Sequence, residues 1–171
     1  YFNVEPDLIT CAKGLTSGTI PMGAVLVKKE IYDAFQEGDV KAIDLFHGYT
    51  YSAHPLAAAA LIATLDVYTD DNLFERTNEL ASYWEDALHS LKGTSHVIDI
   101  RNLGLVAGIE MSPREGSPGS RGYDVFTDGF HNHNLLLRIT GDTLALSPPL
   151  IVEKDHIDQI VETLKVIIPN H

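Results

Sequence analysis

The chain has 171 residues, of which 44% are hydrophobic and 21% are charged, a composition typical of a soluble globular protein and unlike that of a disordered or fibrous one. Its 12 basic and 24 acidic residues give a formal net charge of −12, which disfavours general binding to nucleic acid or to anionic lipid. No apolar run approaches the roughly 18 to 20 residues of a membrane span, so we expect no transmembrane helix.

The single cysteine, Cys11, excludes an intrachain disulfide and suits a reducing cytoplasm. The first residues contain neither an initiator Met nor the basic and then apolar pattern of a signal peptide. We therefore expect a cytoplasmic protein whose given sequence starts inside a longer chain.

The first 70 residues combine short apolar runs, a turn-rich segment and one Ala-rich run that favours a buried, closely packed helix. The predicted elements are strands at residues 7–12 and 23–27 around a loop at 13–21, a short helix at 28–35, a loop at 36–51, and a helix that starts at Pro55 and includes residues 56–67.

The rest of the chain alternates amphipathic helices with pairs of short strands. The predicted elements are a helix from Leu73 to Leu91 stopped by Gly93, strands at 97–100 and 105–110, a loop at 112–120, a helix at 123–131, strands at 135–139 and 144–146 around a Gly141-Asp142 turn, and a helix at 157–168. Since the composition changes near residue 70, we predict an α/β part at residues 1–70 and an α+β part at residues 71–171.

Lys13 has an unusual position for a lysine, at the end of an apolar strand and directly before Gly14, which permits unusual backbone angles. A partly desolvated ε-amine has a lowered pKa and can attack a carbonyl, as Schiff-base chemistry requires. Most lysines are solvated surface charges, and spacing alone favours that simpler interpretation.

The residues around Lys13 resemble the cofactor-lysine segment of class III aminotransferases. The matching stretches are PDLITCAKGLTSG at residues 6–18 and PMGA at residues 21–24. The resemblance implies that Lys13 forms a Schiff base with pyridoxal 5'-phosphate (PLP). It also implies a fold type I PLP-dependent transferase, with residues 1–70 as the end of the large domain and residues 71–171 as the small C-terminal domain.

A second candidate segment, GYTYSAHP at residues 48–55, ends where a helix is predicted to begin. Helix N-termini favour anions, although Thr, Ser and His before a helix more often cap it. The segment resembles the family stretch that supplies a Thr to the cofactor phosphate across a dimer interface. By this resemblance Thr50 reaches the partner's cofactor and Tyr49 offers its backbone amide, in a homodimer or a dimer of dimers.

Arg138 follows the apolar run Leu135–Leu137 and precedes the Gly141-Asp142 turn. A guanidinium at this position suits a carboxylate held through two hydrogen bonds, and the simpler alternative is an ion pair with Asp142. The segment resembles the part of omega-amino-acid:pyruvate aminotransferases that carries the substrate-carboxylate arginine, which implies substrate binding by Arg138.

Two other kinds of site are disfavoured by the sequence. The histidines His47, His54, His131 and His133 lack ligand partners at zinc-type spacing, so we expect no metal site. Ser52 and His54 lack the Gly-x-Ser-x-Gly context of a nucleophilic serine, and helix capping is the better interpretation of both.

The resemblance implies an aminotransferase that moves an amino group from a β-alanine-like omega-amino acid or amine to pyruvate. The upstream family residues that stack on the cofactor ring and pair with its nitrogen have no counterpart in these 171 residues, so we expect the segment alone to be inactive. The alternatives are a noncatalytic fragment or dimerising domain, and another class III enzyme such as an acetylornithine or 4-aminobutyrate aminotransferase or an aminomutase. Product analysis with a labelled amine would separate them.

Overall fold

A computed structural model describes residues 2–39, 41 and 47–171 of the chain. Part of the predicted loop at 36–51, namely residues 40 and 42–46, lies outside the described residues. The chain forms two compact units, Tyr1–Asp71 and Asn72–His171. The assignment of residues 1–70 and 71–171 to a large and a small domain stays a prediction. No helix in the described part of the chain is long and apolar enough to cross a membrane.

The first unit contains a two-stranded antiparallel sheet and two helices. The strands are β1 (Leu8–Ala12) and β2 (Gly23–Val27), joined by a segment that opens with a 3-10 turn at Lys13–Thr16, and the helices are α1 (Lys29–Ala34) and α2 (Pro55–Asp70). Cys11 pairs with Ala24 and Ala12 with Gly23. Strand, loop and strand are thus confirmed, and Pro55 occupies the start of α2 as expected.

The expectation that the Ala-rich helix is closely packed is wrong for the described part of this unit. Only Ala57 and Thr64 of α2 are buried, while Leu56 and Ile62 are 65% and 60% exposed. The reason is that the two short strands of the unit are themselves exposed and give α2 little to pack against. The apolar surface of this unit is therefore left uncovered by the described residues.

The second unit alternates helices and hairpins in the predicted order. Its elements are α3 (Leu73–His89), β3 (Val97–Leu103), β4 (Val106–Met111), α4 (Ser120–Asn132), β5 (Arg138–Thr140), β6 (Thr143–Leu146) and α5 (Lys154–Ile167), and a short 3-10 turn at Ile168–Asn170 follows. β5 is shorter than predicted because its pairing with β6 begins only at Arg138. α4 and α5 begin earlier than predicted, since polar first turns are invisible to an apolar pattern.

The four strands of the second unit form one antiparallel sheet in the order β3-β4-β6-β5. The inward-facing residues of the strands and the apolar stripes of α3, α4 and α5 form the core, whose fully buried members include Trp84, Leu88, Ile109, Val125, Leu144, Ile157 and Leu164. On the opposite face, Arg101, Gly108, Ala145 and Arg138 are paired side by side across the strands. Directly paired residues lie on the same face of a sheet, so the two arginines share it.

Candidate active site

Lys13 lies at the point where β1 ends and the 3-10 turn begins. Its φ of +55° places it in the left-handed region, which is uncommon for a residue with a side chain. The carbonyl of Lys13 accepts a hydrogen bond from the Gly18 amide (3.1 Å). The side chain is exposed, and no described residue forms a hydrogen bond or an ion pair with its Nζ atom. The lysine is thus an accessible amine on a constrained backbone.

Two side chains brace the turn that carries Lys13. Thr16 is 1% exposed, and its hydroxyl donates to the carbonyl of Ile20 (2.7 Å). The hydroxyl of Tyr68 in α2 donates to the carbonyl of Gly14 (2.7 Å). These contacts hold the residues that follow Lys13, so the strained backbone angle is maintained by its surroundings.

Thr50 and Tyr49 lie in the segment that precedes α2. Both are exposed, and the carbonyl of Tyr49 accepts a hydrogen bond from the Ser52 amide (3.0 Å). Thr50 lines a cavity of about 830 Å³ together with Met22, Gly23 and the residues at the start of α2. His54 is the N-cap residue of α2 but makes no side-chain capping hydrogen bond. The capping interpretation of this segment is therefore wrong for His54.

Lys13 is not among the described residues that line the Thr50 cavity. The structure therefore does not bring these two predicted cofactor contacts into a single pocket.

Arg138 is the first residue of β5, the edge strand of the second sheet. It is exposed, and among the residues that the structure describes its guanidinium has no hydrogen-bond or ion-pair partner. The ion pair with Asp142 that the sequence allowed does not occur. Asp142 instead accepts hydrogen bonds from the amides of Gly119 (2.6 Å) and Gly122 (3.0 Å).

The other arginines of the second unit are all engaged by neighbouring groups. Hydrogen bonds to Asp99 first and Glu110 second raise the pKa of the Arg101 guanidinium. The partners are Leu150 carbonyl for Arg76, Asp99 and Glu110 for Arg101, Asp124 and the His171 carbonyl for Arg114, and the Ser112 carbonyl for Arg121. Arg138 therefore stands apart as a guanidinium available to an external carboxylate.

Arg138 borders an open cavity of about 680 Å³ with mainly apolar walls, to which Trp84, Val106, Leu137 and Pro148 contribute. An apolar cavity with one guanidinium at its border suits a carboxylate on a short hydrocarbon chain. The geometry around Arg138 thus agrees with a substrate role, which the sequence predicted by resemblance alone.

Sequence reasoning missed one residue of these surroundings, Tyr68, and the structural role of a second, Asp142. Tyr68 lies 54 residues from Gly14, and no local pattern connects them. Asp142 was identified as a turn residue and as an alternative partner of Arg138. The glycines Gly119 and Gly122, three residues apart at the start of a helix, were the available signal that another backbone approaches closely there.

Comparison with known proteins identifies relatives along almost the whole chain. Residues 1–168 match the family model described as aminotransferase class III. The chain is 57% identical to an omega-aminotransferase of Caulobacter vibrioides over 98% of its own length and 38% of that protein. It is 42% identical to a beta-alanine--pyruvate aminotransferase of Pseudomonas aeruginosa, over 96% of the chain and 37% of that protein.

A solved structure gives the same result. An amine transaminase from an uncultivated Pseudomonas species, determined in its PLP-bound form, aligns with a TM-score of 0.85 and 28% identity. The alignment covers 96% of this chain and 38% of that one. The chain thus has the fold of part of a fold type I PLP-dependent transaminase, and it spans less than two fifths of the length of these relatives.

The described residues fit the cofactor of this family, PLP, which offers an aldehyde and a phosphate. Lys13 is an accessible primary amine without an acidic partner in the described part of the chain, as condensation with an aldehyde requires. Thr50 and Tyr49 offer a hydroxyl and a backbone amide, which are suitable donors to a phosphate.

Proposed function

Because the chain belongs to the class III aminotransferases, we propose that the full-length protein transfers an amino group from an omega-amino acid such as β-alanine to pyruvate, with PLP as cofactor. The observation that carries the proposal is the similarity to an omega-aminotransferase and a beta-alanine--pyruvate aminotransferase over nearly the whole chain. The names of these two relatives support an omega-amino acid as the amine donor and pyruvate as the acceptor.

Lys13 serves as the covalent anchor of the cofactor and as the acid/base of the reaction. Bound PLP supplies an aldehyde that condenses with amines and a conjugated ring that accepts electron density. With the cofactor bound, the Nζ atom of Lys13 would remove the proton from the amine-bearing carbon of the substrate and later return a proton. The exposed position of Lys13 and the braced turn beneath it support both tasks.

Arg138 holds the substrate carboxylate. A planar guanidinium can donate two parallel hydrogen bonds to a carboxylate, which fixes the orientation of the substrate as well as its position. The support is that Arg138 is exposed, borders an apolar cavity and has no protein partner among the described residues. An omega-amino acid and pyruvate both carry the carboxylate that such a site requires.

Thr50 and Tyr49 contact the cofactor phosphate of the partner subunit in a homodimer. The support is that both residues are exposed and that Lys13 is not among the lining residues of the Thr50 cavity, as expected if Thr50 serves a second copy. We place the enzyme in the cytoplasm, where an unpaired cysteine such as Cys11 stays reduced.

The anchor role is tested by chemical trapping in the full-length protein. Borohydride reduction in the presence of PLP should attach a phosphopyridoxyl group to the peptide that contains Lys13, as read by mass spectrometry. The Lys13→Ala variant should lose this label and the β-alanine:pyruvate activity together, whereas the surface variant Lys29→Ala should keep both. Activity of Lys13→Ala at the wild-type level, or labelling of a different lysine, would refute the assignment.

A further inference from the structure

The start of α4 is capped by a carboxylate from another element. Gly119 is the N-cap residue and has no side chain to satisfy the free amides of the first turn. Asp142, in the turn between β5 and β6, does so: one carboxylate oxygen accepts the Gly119 amide (2.6 Å) and the other accepts the Gly122 amide (3.0 Å). A negative charge at this end of a helix is also favoured by the helix dipole.

The same contact is fixed sterically by glycines. A Cβ atom added to Gly122 would lie 2.2 Å from the Gly141 carbonyl oxygen and 3.1 Å from the Asp142 Cα atom. Backbone therefore touches backbone at this point, and no larger residue fits at 122 unless the hairpin moves. The Asp142 carbonyl also accepts the Met111 amide (3.0 Å), which joins the turn to β4.

The position of Arg138 is linked to the contact between Asp142 and α4 through a very short hairpin. The turn at Gly141 and Asp142 is closed by the pair Thr140–Thr143, and Arg138 pairs with Ala145 only two positions further on. β5 is an edge strand of three residues that pairs only with β6, so the position of Arg138 follows that of the hairpin, which is held by β4 on one side and by the cap of α4 at its turn. The Asp142 carboxylate lies four residues from Arg138, and its engagement with α4 leaves the guanidinium unpaired.

We propose that Asp142 is a positioning residue for substrate binding. By capping α4, Asp142 fixes the β5–β6 hairpin and keeps its own carboxylate from pairing with Arg138. The Arg138 guanidinium therefore stays available to the substrate carboxylate. This inference rests on the proposed role of Arg138. The affinity of the Arg138 site for the substrate carboxylate is then set by a residue that does not touch the substrate.

The test compares two helix caps of the full-length holoenzyme. Asp142→Ala removes the cap of α4, and Glu153→Ala removes the capping carboxylate of α5, which is not attached to the Arg138 hairpin. Both variants should lower the melting temperature. Only Asp142→Ala should raise the KM for β-alanine and pyruvate and the inhibition constant of propionate, by about tenfold, with a much smaller change in kcat.

Two further variants separate positioning from general destabilisation. Asp142→Asn keeps one acceptor oxygen for α4 and loses the other, so it should recover part of the wild-type KM. Gly122→Ala leaves every polar group in place but displaces the hairpin, and it should raise the KM in the same way as Asp142→Ala. If Asp142→Ala changes KM no more than Glu153→Ala does, or if Asp142→Asn gives no recovery, the proposal is wrong.

Arg138→Ala distinguishes failure of this inference from failure of the proposed function. If Arg138→Ala leaves the KM values and propionate inhibition unchanged, the substrate role of Arg138 itself is refuted. If Arg138→Ala raises them, Asp142→Ala should add little in that background, because both changes act on one interaction. Additive effects of the two substitutions would show that Asp142 acts independently of Arg138, which contradicts the proposal.

Discussion

At the scale of single residues, the backbone around Lys13 is as informative as its side chain. A non-glycine residue in the left-handed region carries a conformational cost of the order of 1 kcal/mol or more, and the neighbouring contacts of Thr16 and Tyr68 compensate for it. The motif around Lys13 was sufficient to predict a cofactor lysine at this position, and that role stays a prediction. The Tyr68 contact was not predictable, because it depends on how α2 packs on the turn.

The Tyr68 hydroxyl should support both folding and cofactor capture. Tyr68→Phe removes the hydrogen bond to the Gly14 carbonyl and should cost about 0.5–1.5 kcal/mol of stability. Because the lost bond lies next to Lys13, we also expect slower labelling of Lys13 in the borohydride assay. Thr69→Val is the matched control, since the Thr69 hydroxyl donates only within its own helix, to the Leu65 carbonyl. Equal labelling rates in both variants would argue against a link between Tyr68 and Lys13.

At the scale of elements, the sequence predicted most helices and strands of the second unit. The contacts that it did not predict have a physical explanation. The apolar periodicity of α3 and α5 marks their buried faces, and the Gly141-Asp142 pair marks the tight turn of the β5–β6 hairpin. The α4 cap could not be predicted, because its acceptor lies about 20 residues away on a different element. Periodicity reports which face of an element is buried but says little about which turn meets which helix.

The C-terminal part of α4 should contribute a pH-dependent component to stability. Hydrogen bonds from Asn132 first and His171 second hold the pKa of Asp128 below its ordinary value. An aspartate of this kind stabilises the fold fully above its unfolded pKa of about 4, and the contribution is lost as the pH falls through the lower folded value. Asp128→Asn should therefore lower the melting temperature at pH 7 and reduce the further loss in acid.

Melting curves of the full-length protein between pH 7 and pH 3 provide the measurement. The control is Asp86→Asn on the exposed face of α3, where no described residue forms an ion pair or a side-chain hydrogen bond with the carboxylate. Parallel pH profiles for Asp128→Asn and the wild type would contradict the assigned role of Asp128.

At the scale of the whole molecule, the two units differ in how well they cover their own apolar surface. The second unit buries a continuous core, whereas the first exposes large apolar side chains on both strands and on α2, among them Leu8, Val25, Leu26, Leu56 and Ile62. Surfaces of this kind mark interfaces or aggregation-prone regions in isolated domains. Of these elements the sequence predicted burial for α2 only, because an Ala-rich apolar run is typical of a helix that packs closely against its neighbours.

The isolated 171-residue chain should therefore behave as an incomplete enzyme. We expect it to bind a hydrophobic dye such as ANS strongly, to associate at micromolar concentrations, and to lack β-alanine:pyruvate transamination. Size-exclusion chromatography, dye fluorescence and an activity assay check these expectations. A monodisperse chain with the activity of the full-length protein would contradict them.

The unpaired state of Arg138 has a consequence for how this enzyme can change. An exposed side chain on a short edge strand, bonded to nothing else in the described part of the chain, can be exchanged at almost no cost to folding. Asp142, Gly122 and Gly141 do not have that freedom, because helix, turn and sheet meet through them. Under the substrate role proposed for Arg138, the charge at position 138 can vary while the backbone that supports it stays constant, so position 138 is the first place to test for a change in substrate preference.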